Sequence, residues 1–219
     1  SQGVFQKDFI SFSRALISQN RMDNGRVYGN RFDRTFDSIE AKFGIPRGVI
    51  LAFWAFETDF GQVQGNFNTR NALVTLAHDC RRPELFRPQL LAAIELTALG
   101  GMNPATTTGA WAGEIGQVQM LPKDIIENGM DGDGDGVVDL KGSSPDALMS
   151  GANVLSSLGW RPNEPWLQEI NVPANLDWAQ TGLNTRKSGA QWTALGVTAR
   201  SGSIASNLKA AVLLPMGRN

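Results

Sequence analysis

The fold is decided by one stretch, residues 49–60, which reads VILAFWAFETDF. Pro46 stands just before it, where a missing N–H costs a helix nothing, and Gly61 follows it, so the pattern predicts one helix over residues 46–60. At about 100° per residue, the Glu57 side chain falls within the apolar stripe of this helix. The sequence therefore predicts a partly desolvated carboxyl group with a raised pKa, as a general acid requires.

Two interpretations of Glu57 remain open at this point: a general acid, or a core glutamate hydrogen-bonded to a backbone or arginine partner. A glycosidase with two catalytic carboxylates needs the second within about 5–9 Å of the first. Asp59 leaves the helix on a different side, and Glu114, in loop 109–116, is expected to face solvent. The residues alone therefore indicate one acid without a well-placed second carboxylate.

Composition excludes several classes of protein. The 219 residues carry 20 Lys and Arg against 21 Asp and Glu, which gives no electrostatic footprint for nucleic acid or anionic lipid. The longest apolar run, residues 49–56, is far shorter than the roughly 20 residues that span a bilayer. The single cysteine, Cys80, excludes an internal disulfide and a site built from several thiolates.

The pattern along the chain predicts a mainly α fold (α+β). Helical spacing extends to about residue 160, and a looser region rich in Pro, Trp and Gly follows, with short strands expected around residues 169–172. Besides the helix at 46–60, helices are predicted at residues 5–24, 31–43, 71–79, 83–99, 122–128, 145–158 and 203–214.

Residues 131–139, DGDGDGVVD, have the spacing of an EF-hand-type calcium loop. Gly142 stands at loop position 12, where a glutamate is usual, so a carboxylate from the next helix is needed to replace it. The expected ligands are the side chains of Asp131, Asp133, Asp135 and Asp146 and the backbone carbonyl of Val137. An acidic surface turn without metal is the alternative.

Several motifs, in order, resemble the catalytic segment of the B-type lytic murein transglycosylases. They are residues 57–61, 72–77, 81–86, 109–113, 116–122, 144–148, 158–160 and 165–166. Together they extend over most of residues 40–200. The resemblance implies a lysozyme-like helical catalytic core with a small satellite lobe that contains short strands.

The resemblance also implies a reaction in which Glu57 is the single acid/base. Glu57 would protonate the oxygen between N-acetylmuramic acid and N-acetylglucosamine, and then accept the proton of the muramyl 6-hydroxyl as that oxygen closes onto C1. A 1,6-anhydromuramyl end results. The implied saccharide contacts are Gln119, Arg81, Arg82, Thr58, Met120 and Trp111. A lysozyme-type hydrolase and a calcium-stabilised, non-catalytic wall-binding module remain as alternatives.

The implied organisation is one multi-lobed catalytic domain over residues 1–219. Its expected parts are a helical N-terminal part (1–40), the lysozyme-like core (41–160) with calcium loop 131–146, a small lobe (161–200) and a C-terminal helix (201–219). Because the family continues beyond this point, a truncated C-terminus is expected. The expected setting is a periplasmic monomer acting on peptidoglycan glycan strands, with structural Ca²⁺ and no organic cofactor. Other cell-wall enzymes as partners and an outer-membrane anchor on the full-length protein stay open.

Overall fold

The computed structural model describes residues 7–217, and within them the chain is mainly α-helical, as expected. The chain divides into two compact units, one formed by Ile17–Asn163 and the other by Ser1–Leu16 together with Glu164–Asn219. Among residues 7–217 there is no helix with the length and apolar character that crossing a membrane requires.

The elements follow the chain in a simple order. Helix α1 (Phe9–Leu16) belongs to the smaller unit. The larger unit contains α2 (Gln19–Arg31), α3 (Asp33–Phe43), α4 (Arg47–Thr58), β1 (Phe67–Asn68), α5 (Thr69–His78), α6 (Pro83–Ala98), β2 (Thr108–Gly109), α7 (Pro122–Asn128) and α8 (Ser144–Ser157). The smaller unit continues with β3 (Ile170–Asn171), a 3₁₀ turn (Trp178–Gln180), β4 (Lys187–Ser188), α9 (Gly189–Ala194), β5 (Thr198–Ala199) and β6 (Lys209–Ala210).

Helix α4 packs against α2, α3 and α8 in the larger unit. Its Trp54 is 1% exposed and lies among three other aromatic rings. The ring centroids of Tyr28, Phe32 and Phe60 are 5.2, 5.7 and 5.4 Å from that of Trp54. Such tilted and edge-on contacts stabilise a core beyond the area they bury.

A second core in the same unit lies among α5, α6 and α7. Leu73 is fully buried there, and Phe86 and Leu96 of α6 pack in the same cluster. Strands β1 and β2 pair antiparallel, with Phe67 opposite Gly109, which fixes where the loop after β2 begins. That loop carries several of the residues expected to bind substrate.

The smaller unit is built around Trp192, which is 2% exposed and clusters with Leu176, Val197 and Val212. Two short antiparallel pairs, β3 with β5 and β4 with β6, surround it. The Trp192 Nε1 donates to the Ala210 carbonyl at 2.8 Å, so the indole is anchored to strand β6. The short strands expected near residues 169–172 are therefore present.

The helix expected at residues 203–214 is absent, and strand β6 with flanking turns takes its place. The apolar residues there fit a helical period at Ile204, Leu208 and Val212, but Leu208, Val212 and Leu214 also fit the two-residue period of a strand. Pairing with β4 and burial of Val212 in the Trp192 cluster favour the strand. The expected C-terminal helix 201–219 is therefore wrong within the described residues.

The single helix expected over residues 5–24 is also wrong in part, because the chain forms α1 and α2 instead. Ser18 separates them, and its hydroxyl accepts a hydrogen bond from the Arg21 backbone N–H at 3.3 Å. Serine competes for backbone groups in this way and so starts a new helix rather than continuing the old one. Residues 5 and 6 lie outside the described part of the chain.

Candidate active site

Glu57 lies in the last turn of α4 and faces a cavity of about 210 Å³. Most of the cavity wall is apolar, and it comes from α4, α7, α8 and the loop before α7. The lining residues are Ile50, Phe53, Glu57, Val118, Gln119, Met120, Asp124, Gly151, Val154, Leu155 and Leu158. The Glu57 carboxyl group at the end of a helix thus opens into a mostly apolar space large enough for part of a ligand.

Partial burial beside this apolar wall raises the pKa of Glu57, and the negative charge of Glu114 raises it further. The raised pKa agrees with the expected partial desolvation of the carboxyl group, although Glu57 as a whole residue is exposed. The stripe around it is less buried than the sequence suggested, because Phe53 and Phe56 are 46% and 50% exposed. Glu57 consequently combines a raised pKa with access from the cavity, which a general acid needs.

The end of α4 is held in an unusual backbone conformation. Asp59 and Phe60 have φ values of 51° and 59°, and Gly61 follows at 86°. Only glycine adopts such left-handed angles freely, so the two preceding residues need support. Part of it comes from Arg21, whose Nε lies 3.2 Å from the Asp59 carboxylate.

Thr58 belongs to this support and not to the cavity wall. It is 1% exposed, its hydroxyl donates to the Gln117 carbonyl, and it accepts from the Gly61 backbone N–H at 2.9 Å. The hydroxyl is fully used inside the protein, contrary to the substrate contact expected from the resemblance. Thr58 instead fixes the turn that follows Glu57.

Gln117 joins α4 to the loop that precedes α7, and sequence reasoning missed it. Its side-chain Oε1 accepts from Trp54 Nε1 at 3.0 Å and from the Ser144 hydroxyl at 3.1 Å, while its Nε2 donates to the Lys141 carbonyl at 3.2 Å. Gly61 makes room for it, since a Cβ at position 61 would lie 2.6 Å from this Oε1. No local pattern marks a buried amide whose partners are so distant in sequence.

Gln119 and Met120 line the cavity, as the substrate-binding prediction requires. Gln119 has a left-handed backbone, with φ at 55°, and its Nε2 donates to the Gly116 carbonyl at 2.9 Å and the Gln64 carbonyl at 3.3 Å. These two bonds orient the amide at the cavity wall. Met120 is 4% exposed and contributes apolar surface.

The structure does not bring the other three expected contacts to the cavity wall. Within residues 7–217, the wall does not include Arg81, Arg82 or Trp111. Arg81 is exposed and pairs with Asp79 at 2.6 Å, which lowers the pKa of that aspartate to about 2. Arg82 is the exposed residue just before α6, and Trp111 is 67% exposed in the loop after β2.

Glu114 lies differently from the sequence expectation. Its Oε2 is buried and, among the described residues, has no hydrogen-bond partner, although a solvent-facing side chain was expected. The residue is only partly accessible, and its charge acts on Glu57. The reason is local: the Ala110 N–H donates to the Glu114 carbonyl at 2.9 Å, so the loop folds back instead of projecting outward.

Asp124 is a second carboxyl group in the cavity wall that the sequence did not single out. It lies in the first turn of α7, where an acidic residue is common because its negative charge interacts favourably with the helix dipole. Partial burial raises the pKa of Asp124, and the charge of Glu127 raises it further. A carboxyl group so placed can accept hydrogen bonds from a polar ligand.

The acidic loop gathers three of its expected ligands. Carboxylate oxygens of Asp131, Asp133 and Asp146 lie within 4.8 Å of one another. Asp146 is 1% exposed and its two oxygens accept from the Gly132 and Asp139 backbone N–H groups, both at 2.8 Å. Oxygen donors clustered in this way suit a hard divalent cation.

The fourth expected carboxylate, that of Asp135, is not part of this cluster. Asp135 accepts from the Val137 backbone N–H at 2.8 Å, so its carboxylate is used inside the loop. Gly142 packs against Asp139, because a Cβ at position 142 would lie 2.3 Å from the Asp139 Oδ2. A glutamate at position 12 would not fit this arrangement, and Asp146 takes its place beside Asp131 and Asp133.

Comparison with known proteins decides the family. The family model described as the transglycosylase SLT domain matches residues 1–219. The chain belongs to this family. A lytic murein transglycosylase B from Escherichia coli (strain K12), described as membrane-bound, is 26% identical to this SLT domain over 193 residues, covering 87% of it and 52% of that protein.

Solved structures agree with this assignment. SltB3 from Pseudomonas aeruginosa, crystallised with NAG-NAM-pentapeptide, superposes on the SLT domain with a TM-score of 0.88 and 32% identity, over 100% of this chain and 58% of SltB3. SltB3 crystallised with NAG-anhNAM-pentapeptide gives a TM-score of 0.86 at 32% identity, and the match covers 98% of this chain and 57% of SltB3. The Escherichia coli lytic transglycosylase Slt35, in complex with calcium, gives a TM-score of 0.85 at 26% identity. This match covers 95% of this chain and 66% of Slt35.

These matches confirm the B-type lytic transglycosylase family and the lysozyme-like, mainly helical fold expected for the SLT domain. The chain spans about half the length of the curated relative that it matches, and 57–58% of SltB3.

Proposed function

We propose that this chain is the catalytic part of a peptidoglycan lytic transglycosylase. It cleaves the β-1,4 bond between N-acetylmuramic acid and N-acetylglucosamine and leaves a 1,6-anhydromuramyl end. One observation carries the proposal: Glu57 lines an apolar cavity at the end of α4, and partial burial of its carboxyl group raises its pKa. In support, the relative SltB3 was crystallised with both NAG-NAM-pentapeptide and NAG-anhNAM-pentapeptide.

A single carboxyl group serves both halves of this reaction. Protonated Glu57 gives its proton to the glycosidic oxygen as the bond between that oxygen and C1 of the muramyl unit breaks. The Glu57 carboxylate then takes the proton of the muramyl 6-hydroxyl while the 6-oxygen bonds to C1. No water is consumed, and Glu57 ends the turnover protonated, ready for the next bond. The 6-hydroxyl competes well with water because it is held near C1 by the substrate itself.

The saccharide contacts follow from position and chemistry. Gln119 presents an amide whose orientation is fixed by two backbone carbonyls, and Met120 adds apolar surface beside Glu57. Arg81, Arg82 and Trp111 remain proposed contacts outside the cavity wall. Exposed guanidinium groups suit carboxylates of a peptide stem, and an exposed indole suits the apolar face of a sugar.

A lysozyme-type hydrolase is the second candidate, and the position of Glu114 favours it. A glycosidase that uses water needs a second carboxylate as base or nucleophile. The negative charge of Glu114 is close enough to Glu57 to raise the pKa of Glu57. The ready supply of the 6-hydroxyl at C1 nevertheless makes transglycosylation the better-supported reaction.

Mass spectrometry of muropeptides released from purified sacculi separates the candidates. A lytic transglycosylase releases anhydromuropeptides, each lighter by one water than its lysozyme counterpart and without a reducible end. Chiefly reducing-end muropeptides would establish hydrolysis instead. Intact binding to sacculi with no release would point to a non-catalytic wall-binding module.

We also propose that the acidic loop binds one structural Ca²⁺. Asp131, Asp133 and Asp146 would hold it, with Asp135 and the Val137 carbonyl as the remaining expected ligands. A bound cation supplies positive charge among three carboxylates and so joins the loop to α8, which carries Asp146. In support, Slt35 was crystallised in complex with calcium.

The proposed setting follows from the proposed substrate. The chain acts on peptidoglycan glycan strands in the periplasm as a monomer, and a single catalytic domain over residues 1–219 remains part of the proposal. Other cell-wall enzymes are proposed as further partners, and nucleic acid is not. Anchoring to the outer membrane remains a proposal for the full-length protein.

A further inference from the structure

The Gln64 side chain anchors an irregular segment between α4 and β1. Its Nε2 donates to the Gly61 carbonyl at 3.0 Å and to the Lys141 carbonyl at 3.1 Å. Residues 61–66 belong to no helix or strand, and two glycines that flank Gln64, Gly61 and Gly65, both have φ at 86°. Because glycine leaves the backbone free to adopt many conformations, these two side-chain bonds are needed to hold residue 64 in place.

The orientation of the Gln64 amide leaves one of its atoms unsatisfied. Its Oε1 is buried and, within residues 7–217, has no hydrogen-bond partner. Turning the amide over would place this oxygen against the two carbonyls and lose both bonds, so Nε2 has to face them. A buried acceptor without a partner costs folding free energy. An arrangement of this kind calls for a reason beyond stability.

The backbone carbonyl of Gln64 orients the amide of Gln119. Gln119 Nε2 donates to it at 3.3 Å and to the Gly116 carbonyl at 2.9 Å. Since an amide nitrogen carries two hydrogens, both are used by backbone carbonyls. The side-chain oxygen of Gln119 is therefore the atom left for a ligand in the cavity, whose wall includes Gln119. Within the described residues, Gln64 itself is not part of that wall.

Gln64 also contacts the turn that follows the acid. The Gly61 N–H donates to the Thr58 hydroxyl at 2.9 Å, and the Gly61 carbonyl accepts from Gln64. Thr58 comes directly after Glu57 at the end of α4. Gln64 thus bonds the turn after α4 with its side chain and the Gln119 amide with its backbone. It thereby helps to fix the position of Gln119 relative to Glu57.

Resting on the proposed function, we propose that Gln64 is a positioning residue for Gln119. Its two side-chain bonds hold its own backbone carbonyl at the place where that carbonyl orients the Gln119 amide. Gln119 then presents Oε1 as an acceptor to an O–H or N–H group of the saccharide, at a fixed distance from Glu57. Gln64 does not contact the ligand, so its contribution to binding depends entirely on Gln119.

A double-mutant cycle in saccharide binding tests this role. Calorimetry measures the Kd of NAG-NAM-pentapeptide, the ligand crystallised with SltB3, in a Glu57→Gln background that leaves the ligand intact. Gln64→Met keeps the length of the side chain and removes its donors. It should raise the Kd by about 2- to 10-fold, as one lost hydrogen bond would. When Gln119→Ala is already present, Gln64→Met should leave the Kd unchanged.

A control variant and a readout without ligand accompany the cycle. Gln62→Met changes an exposed residue of the same segment and should leave the Kd unchanged in both backgrounds. Gln64→Ala is the second variant if methionine disturbs the fold. In the ligand-free protein, NMR follows the side-chain NH₂ signal of Gln119, which Gln119→Ala identifies. Gln64→Met should shift this signal because the carbonyl that accepts from Gln119 moves, and Gln62→Met should not.

The outcomes separate a positioning role from a structural one. The same change in Kd with and without the Gln119 side chain would assign Gln64 a purely structural role and overturn the proposal. An unchanged Kd, or an unchanged Gln119 signal, in both Gln64 variants also overturns it. If the Glu57→Gln protein binds no saccharide while Gln64→Met still shifts the Gln119 signal, the proposed function is refuted and the positioning of Gln119 by Gln64 is supported.

Discussion

Trp54 donates a hydrogen bond of 3.0 Å from its indole Nε1 to the side-chain oxygen of Gln117, a residue 63 positions further along the chain. The bond is buried and joins the helix that carries Glu57 to the loop that carries Gln119 and Met120. Together with the bond from the Thr58 hydroxyl to the Gln117 carbonyl, it helps to fix the position of the acid relative to the binding residues.

Replacing this amide should destabilise the larger unit. Gln117→Ala leaves the buried Trp54 N–H without a partner, which costs about 1–3 kcal/mol. Denaturant unfolding measures the change. Gln62→Ala, at an exposed position of the same unit, is the control and should stay within about 0.5 kcal/mol of the parent. Equal decreases in the free energy of unfolding of the two variants would show that the Gln117 contacts do not stabilise the protein.

Two glycines, one in the first turn of α4 and one shortly after the helix, should change stability in opposite directions when replaced by alanine. Gly61→Ala places a Cβ 2.6 Å from Gln117 Oε1 at a φ of 86°, and should cost about 1–3 kcal/mol. Gly48 lies in the first turn of α4 with nothing within 4 Å of a new Cβ, so Gly48→Ala should stabilise by about 0.4–1 kcal/mol. Thermal unfolding of both variants measures these changes. If both variants are stabilised, or both destabilised, relative to the parent, the prediction is contradicted.

Calcium should raise the melting temperature of the protein. A cation that binds only the folded state stabilises it by about 2.7 kcal/mol at one hundred times its Kd. Thermal unfolding with Ca²⁺ and with chelator should show this shift in the parent and in Glu95→Ala, and should not show it in Asp133→Ala. Identical melting curves in the parent under both conditions would leave the loop as an acidic turn.

The raised pKa of Glu57 should make stability depend on pH in a defined direction. The folded state holds the Glu57 proton more tightly than the unfolded state, so this group lowers stability as pH rises above the ordinary value of 4.5 and through the folded pKa. Glu57→Gln removes that loss. The melting temperature of Glu57→Gln minus that of the parent should therefore increase from pH 4 to neutral pH. A difference that stays constant over this range would contradict the raised pKa of Glu57.

The parts of the site that could be predicted are those with local signals. Helix α4 follows from a long apolar period between Pro46 and Gly61, and α7 from Pro122 at its start, where proline fits the first turn. The acidic loop was recognised because cation ligands follow one another at fixed spacing, although three of the five expected ligands gather in the structure.

The parts that could not be predicted depend on contacts distant in sequence or on irregular backbone. Thr58 and Gln117 bury their polar groups against each other across 59 positions, and neither has a periodic signal. Glu114 lies in a loop, where no period fixes the direction of a side chain, so its inward orientation was missed. The strands of the smaller unit are two residues long, too short for alternation to distinguish β6 from a helix.

The most direct test of the central claim is the release of anhydromuropeptides from purified sacculi by the parent, Glu57→Gln and Asp59→Asn proteins. Glu57→Gln should fold normally and lose at least about 10²-fold in turnover, since an amide cannot supply the proton. Asp59→Asn should retain most of the activity, because asparagine tolerates the left-handed backbone at this position and Asp59 is paired with Arg21 outside the cavity wall. Release by Glu57→Gln at the rate of the parent would contradict Glu57 as the acid/base.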